Sequence, residues 1–437
     1  MRYGRWPLSV VALVLVAAFA GQVSGQVLAT IKRLGGRIAA DEQGPDKPVT
    51  VVDLSGTRAT DIDLEPLEEL SHLKRVYLNG APVTDVGLLH VTRLAGLEEL
   101  GLEGTLVTDA GLSLLGKLTG LRKLWLSGTQ VGDGGLKFLA QLTALEELWL
   151  ADTRVTAAGL EHLKVMSRLR MLDLKRTRVG GEAPAALKDL KQLTYLNLAG
   201  TQVTDAGLRH LAPLTGLEEL YLPASTSNSG LEHVKGMKRL QYLLLVGAKV
   251  DDAGLQSLAG LTGLEGLTLT GTRVGNAGLV HLKGLTRLRI LNLDNTHVGD
   301  DGLANLQDMK SLESLNLGAT KTTNAGLEHL ERLTALGELG LSGTQVDDAG
   351  ADLLKGLVGL RALNLDDTKV GDGGLKRLAA LRNLEVLQLR GTQITDAGLK
   401  DLEALTQLRT LCLGRTRVSP NGVKQVANLL PKTRILP

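Results

Sequence analysis

The chain has one cysteine, two phenylalanines and no run of basic or acidic residues. Cys412 has no partner within the chain, so an internal disulfide is excluded in any compartment. Aromatic residues make up 2% of the 437 positions and hydrophobic residues 43%, so the interior must be built from aliphatic side chains. Arg2 and Arg5 account for the formal net charge of +2. A neutral chain without a basic run is not expected to bind nucleic acid or an anionic membrane as its main partner.

The sequence also lacks an apolar stretch long enough to span a bilayer. The apolar segment Leu8 to Ala20 covers 13 residues, whereas a spanning helix needs about 20. A short basic start, an apolar segment and then small residues are typical of a secretory signal, with cleavage after Ala20 or Gly25. We therefore predict a signal peptide over residues 1–25 and an exported protein, periplasmic, extracellular or on the cell surface. The alternative is an uncleaved amino-terminal anchor, the one case in which a membrane would be a partner.

A 24-residue unit repeats from Val52 to the end of the chain. Each copy reads roughly Leu-x-x-Leu-x-Leu-x-x-Thr-x-Val-x-Asp-x-Gly-Leu-x-x-Leu. Of the sixteen spacings between successive Leu-x-Leu cores, fifteen are 24 residues and one is 23. This periodicity predicts a solenoid that grows by stacking, rather than a set of globular domains.

Each copy contains a strand pattern followed by a helix pattern. Leu196 and Leu198 alternate with polar or small residues, which predicts a short strand with one buried face in a parallel sheet. Thr201 follows, and threonine recurs here in 13 of 16 copies. We expect its hydroxyl to hydrogen-bond the turn backbone of the neighbouring copy. Thr204 and Asp205 then precede an apolar run and are typical of a helix amino-terminal cap.

These residues show a resemblance to a known family. The Thr-Asp-Ala-Gly-Leu segments at Thr108 to Leu112, Thr204 to Leu208 and Thr395 to Leu399 resemble leucine-rich repeat proteins of an exported bacterial type. They are similar to the cysteine-containing subfamily, with threonine in place of cysteine. The resemblance implies an α/β fold: a leucine-rich repeat solenoid, or horseshoe, with a parallel sheet on the concave face and short helices on the convex face. It also implies that the concave sheet binds another macromolecule. No segment before the repeats resembles a ubiquitin-ligase adaptor, so that activity is not inferred.

The repeat array is expected to be capped at both ends. Residues 26–50 form the predicted amino-terminal cap, with a short helix that ends at Gly35-Gly36 and an edge strand from Arg37 to Ala40. Residues 51–418 form the array of 24-residue units, and residues 419–437 form the carboxyl-terminal cap with a last helix. We expect a monomer. A sparse carboxyl-terminal cap leaves an apolar end, and pairing through it is the alternative.

Aromatic side chains are concentrated in one part of the predicted open face. Beyond the signal segment the chain has seven aromatic residues, and six of them flank the first strand leucine of a copy among the first nine copies. Trp125 and Trp149 lie on adjacent strands, close enough to stack. Exposed tryptophan and tyrosine are preferred anchors of recognition surfaces. The predicted binding residues on the concave face are Tyr77, Trp125, Trp149, Asp173, Tyr195, Tyr221 and Tyr242.

A structural interpretation of the same aromatics stays open, since aromatic residues favour strands and stabilise each other across neighbours. Two irregular copies lie in the same part of the chain. Arg176 to Leu190 lacks the Asp-x-Gly-Leu segment, and Pro223 to Gly230 is one residue short. Departures from the repeat pattern occur at functional sites, and they also arise by neutral change in loops that tolerate substitution. Asp173, Lys175 and Arg176 are candidates for polar contacts beside the aromatics.

No catalytic or metal-binding arrangement stands apart from the repeat pattern. Six of the eight histidines occupy one helix position of the repeat, and a metal site needs three or four converging ligands. Gly132-Asp133-Gly134-Gly135 has no lysine placed to hold a phosphate, and Asp85 and Asp109 are interpreted as helix caps. We predict no catalytic residues, no metal and no cofactor.

The sequence thus predicts a non-catalytic recognition protein that uses the concave surface for protein-protein interaction. Two alternatives stay open: an envelope glycan binder, because stacked aromatic rings also suit sugars, and a purely structural or scaffolding component of the envelope. A protein partner is the first expectation and a surface polysaccharide the second.

Overall fold

The computed structural model describes residues 25–41 and 48–436, and the predicted signal segment lies almost entirely outside the described residues. The chain divides into two compact units, Met1–Gly216 and Leu217–Pro437. Each unit is built from strand-helix repeats. Among the described residues no helix is long and apolar enough to cross a membrane.

The first unit contains one sheet with a single antiparallel edge. β1 pairs antiparallel with β2, and from β2 the strands β3, β4, β5, β6, β7 and β9 follow in parallel. A separate two-stranded parallel sheet joins β8 and β10. The strands of this unit are β1 Arg37–Ala40, β2 Val49–Asp53, β3 Arg75–Tyr77, β4 Glu99–Gly101, β5 Lys123–Trp125, β6 Glu147–Trp149, β7 Met171–Asp173, β8 Gly180–Gly181, β9 Tyr195–Asn197 and β10 Gln202–Val203.

Short helices follow the strands of the first unit. The α-helices are α1 Gly25–Leu34, α2 Leu88–Val91, α3 Asp109–Leu115, α4 Asp133–Leu139, α5 Ala157–Leu160 and α6 Asp205–Leu208. Turns of 3-10 helix cover Asp61–Glu69, Glu161–Val165, Ala183–Leu187 and Arg209–Leu211. α1 and β1 lie where a helix and an edge strand were predicted before the repeats, and the pairing of β1 with β2 is antiparallel.

The second unit repeats the same plan with ten parallel strands among its described residues. They are β11 Glu219–Tyr221, β12 Tyr242–Leu244, β13 Gly266–Thr268, β14 Ile290–Asn292, β15 Ser314–Asn316, β16 Glu338–Gly340, β17 Ala362–Asn364, β18 Val386–Gln388, β19 Thr410–Cys412 and β20 Arg434–Leu436. The α-helices are α7 Asn228–Leu231, α8 Asp252–Leu255, α9 Asp300–Leu303, α10 Asn324–Leu327, α11 Asp348–Leu353, α12 Asp372–Leu378 and α13 Pro420–Leu429. Turns of 3-10 helix cover Glu232–Val234, Gln256–Leu258, Gly278–Leu282, Glu328–Leu330, Leu354–Gly356 and Leu399–Ala404.

The strand register confirms that successive copies lie side by side. Leu100 pairs with Leu124, and Trp125 pairs with Trp149, 24 positions apart. In the short copy the pairing of Leu220 with Leu243 keeps this register across 23 positions. The strand leucines and the helix leucines are buried, as the burial of Leu124 and Leu136 illustrates. Burial of these side chains is the main stabilising contribution of each repeat.

The recurring threonine at the end of each strand is buried but bonds differently from the prediction. Thr201 Oγ1 donates to the carbonyl oxygen of Leu198 at 2.6 Å, within its own copy. All 13 threonines at this position make the same bond to the leucine three residues earlier. The expected bond to the neighbouring copy was wrong, because the turn folds the leucine carbonyl back within reach of the hydroxyl.

In many copies an aspartate at the start of the helix connects that copy to the next one. The threonine before it is the true cap, since Thr108 Oγ1 accepts from the backbone N–H of Ala110. The Asp85 carboxylate instead accepts from the backbone N–H of Thr108 at 2.8 Å and from its hydroxyl at 2.6 Å, in the next copy. The prediction that Asp85 and Asp109 are helix caps is therefore corrected: Asp109 likewise accepts from the Gly132 N–H of the next copy. We call this series the aspartate ladder.

Candidate binding surface

Four aromatic side chains lie on one face of the sheet in the first unit, and we call them the aromatic strip: Tyr77, Trp125, Trp149 and Tyr195. They project from β3, β5, β6 and β9, at positions that alternate with the buried strand leucines. Trp125 is 9% exposed, and the other three are half-buried. The strip is thus more enclosed than the sequence predicted, because the rings and their neighbours cover one another.

Tyr77 and Trp125 touch although a whole strand separates them. Their ring centroids are 6.0 Å apart with an interplanar angle of 59°. The strand between them, β4, carries Gly101 at the matching position. A Cβ atom there would lie 3.1 Å from Tyr77 Cδ1 and 2.8 Å from Asn79 Oδ1. The missing side chain therefore leaves the room in which the two rings meet.

Trp149 and Tyr195 form a second ring contact across β7. Their centroids are 5.5 Å apart and their planes are inclined by 36°, a distance and tilt typical of favourable aromatic pairs. The indole N–H of Trp149 is buried without a hydrogen-bond partner. A buried donor left unsatisfied costs about 1–3 kcal/mol, so the strip is not optimised for stability alone.

Two carboxylates lie close to the tryptophans. Asp173 on β7 is 6% exposed, and its oxygens accept from the backbone N–H of Lys175 at 2.7 Å and from Asn197 Nδ2 at 3.3 Å. Glu103 follows β4 and is half-buried. Burial raises the pKa of both carboxyl groups, and the charge of Asp173 raises the pKa of Glu103 further, against a hydrogen bond with Ser127 that lowers it. Both carboxylates are thus held in an environment that disfavours their charge.

Three charged side chains along the same face neutralise one another only in part. Lys123 Nζ lies 3.1 Å from Glu147 Oε1 and 3.6 Å from Glu99 Oε1. The Tyr77 hydroxyl donates to Glu99 Oε2 at 2.5 Å. Burial and this carboxylate raise the pKa of the Tyr77 phenol, so it stays a neutral donor. The group Glu99, Lys123 and Glu147 has one more carboxylate than ammonium.

The two remaining aromatic candidates belong to the second unit. Tyr221 lies on β11 and Tyr242 on β12, and the Tyr221 hydroxyl approaches Glu219 Oε2 at 3.3 Å. The ring of Tyr242 lies against Gly266 of the next strand, where a Cβ atom would come within 2.5 Å of Tyr242 Cδ1. The seven predicted residues therefore separate into five in the first unit and two in the second.

The irregular copies have distinct local structures. In the first, Gly180–Gly181 pairs with Gln202–Val203 instead of entering the aspartate ladder, because Ala157 supplies no carboxylate. Asp152 and Arg176 have positive φ angles of 58° and 53° at the turn position that is usually glycine. The Arg176 guanidinium forms a two-pronged ion pair with Asp152, with contacts of 2.5 and 2.6 Å.

In the second irregular copy, Thr226 takes the buried position that valine has in other copies. Its hydroxyl is fully buried without a hydrogen-bond partner. The copy still forms α7, with Ser227 as its cap.

Two histidines pair with acidic side chains of neighbouring copies. His90 Nδ1 lies 2.7 Å from Glu68 Oε1, and His210 Nε2 lies 3.2 Å from Glu182 Oε2. Within residues 25–41 and 48–436, no three His, Cys, Asp or Glu side chains come together as a metal site requires.

Sequence reasoning missed Glu103 and Gly101 at this surface. Both occupy repeat positions that vary from copy to copy: Gly101 ends β4, and Glu103 follows two positions later, in the copy before the first tryptophan strand. Only the fold shows that the glutamate side chain reaches towards Ser127 and the environment of Asp173.

The stacked strand-helix copies form the fold of leucine-rich repeat proteins, and the chain is similar to that family. A family model for the leucine-rich repeat matches residues 191–212, 360–379 and 380–402. Leucine-rich repeat proteins are in general non-catalytic binding proteins. No curated protein sequence matches the chain.

Solved structures support the same fold. An internalin of Listeria monocytogenes is 25% identical, with a TM-score of 0.54 over 74% of this chain and 82% of the internalin. A leucine-rich repeat protein of Leptospira interrogans is 22% identical, with a TM-score of 0.63 over 85% of this chain and 91% of its own. The Arabidopsis receptor kinase HAESA, solved with a peptide hormone and a co-receptor, is 14% identical, with a TM-score of 0.55 over 94% of this chain and 81% of the receptor. The last two show the fold alone.

Proposed function

We propose that the protein is an exported recognition protein that binds a protein partner through the aromatic strip. The observation that carries this proposal is the concentration of four aromatic side chains, in two ring contacts, on one face of the first unit's sheet. Aromatic side chains with half-exposed rings are typical anchors of binding surfaces. Trp149, Tyr77 and Tyr195 are partly exposed to solvent, while Trp125 is nearly buried beside them.

The unsatisfied indole N–H of Trp149 favours a binding role over a structural one. If these rings served only to stabilise the sheet, a residue at this position without an unsatisfied N–H group would make the sheet more stable. The fold itself is typical of protein-protein recognition. The receptor kinase HAESA binds a peptide hormone, which is one example of a protein ligand on this fold.

The test compares two aromatic truncations in the full chain. Trp149→Ala removes a half-exposed ring of the strip, and Phe138→Ala removes a half-buried ring on α4, away from the sheet. Each variant, immobilised at equal density, is used to capture partners from an envelope and secreted fraction of the native host. We expect the native chain and Phe138→Ala to retain the same captured protein, and Trp149→Ala to lose it.

Equal capture by all three proteins would contradict the proposal and favour a scaffolding role. Capture that survives proteolysis of the fraction but not glycosidase treatment would identify a glycan as the ligand instead. Export is tested separately by the amino-terminal sequence of the secreted protein, which we expect to begin after Ala20 or Gly25.

A further inference from the structure

The four strands that surround the tryptophans carry an excess of negative charge on the face of the strip. On β4 to β7 and the residues directly after them, four carboxylates face two ammonium groups, which gives −2 when all are ionised. The carboxylates are Glu99, Glu103, Glu147 and Asp173, and the ammonium groups are Lys123 and Lys175. The chain from Gly21 onward is neutral in total, so this excess is a local property.

Half of this excess lies on Glu99, Lys123 and Glu147, and the other half on Glu103, Asp173 and Lys175. Lys123 bridges Glu99 and Glu147. Glu103 and Asp173 form no ion pair with any residue that the structure describes. Asp173 accepts hydrogen bonds from the Lys175 backbone and from Asn197, and the charge of Lys175 also lowers its pKa, but burial outweighs these effects. A buried carboxylate without an ion pair is costly, and a further charge of opposite sign would reduce that cost.

The pKa directions agree with this geometry. Burial raises the pKa of both groups, and proximity to Asp173 adds to the effect on Glu103. Basic groups of a ligand would relieve these effects by pairing with each carboxylate. The neighbouring indole rings add a second attraction, since cations are attracted to the face of tryptophan.

We propose that the aromatic strip binds a basic, extended segment of its protein partner, with arginine or lysine side chains paired to Glu103 and to Asp173, on the two sides of the tryptophan strands β5 and β6. This inference rests on the proposed function and narrows the class of partner. From β3 to β9 the strip crosses five strand spacings, about 24 Å, which an extended peptide of roughly seven residues would span. A single small cation would use only a fraction of this surface.

Octa-arginine and octa-glutamate peptides serve as probes. Binding to the full chain is followed by tryptophan emission, which reports on Trp125 and Trp149, and by the anisotropy of a dye on the peptide. We expect octa-arginine to change the emission, octa-glutamate to leave it unchanged, and added salt to weaken the binding. Glu103→Gln and Asp173→Asn should each weaken octa-arginine binding by about fivefold, the loss of roughly 1 kcal/mol of charge-assisted contact.

A matched control separates this site from general charge attraction. Asp294 occupies the repeat position of Glu103 in the second unit, and burial raises the pKa of its carboxyl group too, but no tryptophan lies on its strands. Asp294→Asn should leave octa-arginine binding unchanged. The thermal midpoint of Glu103→Gln at pH 7.5 should be equal to or above that of the native chain, whereas a carboxylate with a structural role would lower it.

Equal octa-arginine affinity for the native chain and both carboxylate variants would overturn the inference, as would equal weakening by Asp294→Asn. In either case the proposed function is judged independently, by whether capture of the partner depends on Trp149. Capture that depends on Trp149 but not on Glu103 or Asp173 would leave a recognition protein whose ligand is not basic.

Discussion

The rings of Tyr77 and Trp125 meet at 6.0 Å between centroids because Gly101 leaves the strand between them without a side chain. Two strand spacings separate their backbones by about 9.6 Å, so both rings must lean over the glycine. The ring pair therefore links β3 directly to β5, two strands that are not neighbours in the sheet.

Gly101→Ala is expected to disturb this ring pair. The added Cβ would come within 3.1 Å of Tyr77 Cδ1 and 2.8 Å of Asn79 Oδ1, so the ring and the amide must shift. We expect a loss of about 1 kcal/mol in the free energy of unfolding and a change in the near-ultraviolet circular dichroism of the tryptophans. Gly340→Ala is the control, because it has the same repeat position and a similar clash with Asn316 but no aromatic ring. An unchanged aromatic spectrum for Gly101→Ala would contradict the role given to this glycine.

Thr226→Val is expected to stabilise the protein by about 1 kcal/mol. The substitution removes a buried hydroxyl without a partner and restores the side chain found at this position in most copies. Thr322 also occupies the valine position, but its hydroxyl lies 2.8 Å from Thr320 Oγ1. Thr322→Val should therefore give no such gain. Chemical denaturation of both variants measures the difference, and an equal effect of the two substitutions would refute the explanation.

Asp85→Ala is expected to weaken the junction between two copies. It removes the acceptor for both the backbone N–H and the hydroxyl of Thr108, and it leaves the N–H unsatisfied. We expect a loss of about 2 kcal/mol in unfolding free energy. Asp85→Asn keeps one oxygen acceptor and should lose less. Hydrogen exchange of the Thr108 amide gives a local readout, and it should become faster in Asp85→Ala than in the native chain.

The carboxyl group of Glu103 should make stability depend on pH. Because its pKa in the folded chain is raised above the ordinary value of 4.5, by burial first and by the charge of Asp173, the folded state favours the protonated form. This contribution is complete below about pH 4.5 and is lost as the pH rises through the folded pKa. Glu103→Gln should therefore be more stable than the native chain at pH 7.5 and equal to it at pH 4 and below. Thermal unfolding of both proteins across this pH range measures the difference in stability between them. A difference that grows as the pH falls would contradict the prediction.

The repeat pattern was enough to predict the strands, the helices and the neighbours across the sheet. A 24-residue spacing of Leu-x-Leu cores allows one register, so the pairing of Trp125 with Trp149 followed from counting. The cap role of Thr108 also followed, since capping depends on residues close in sequence. The aspartate ladder did not, because Asp85 bonds 23 positions away to groups whose orientation depends on how two turns stack.

Sequence by itself determined the fold, the buried leucine positions and which side chains face away from them, because these depend on a short periodicity that every copy repeats. Tertiary structure alone decided which aromatic rings meet, that Trp125 is nearly buried, and that Glu103 and Asp173 share an unfavourable electrostatic environment. Those outcomes depend on side-chain directions and on the room left by neighbours such as Gly101. Side-chain directions and the space left by neighbours vary from copy to copy, so a consensus of the repeats does not contain them.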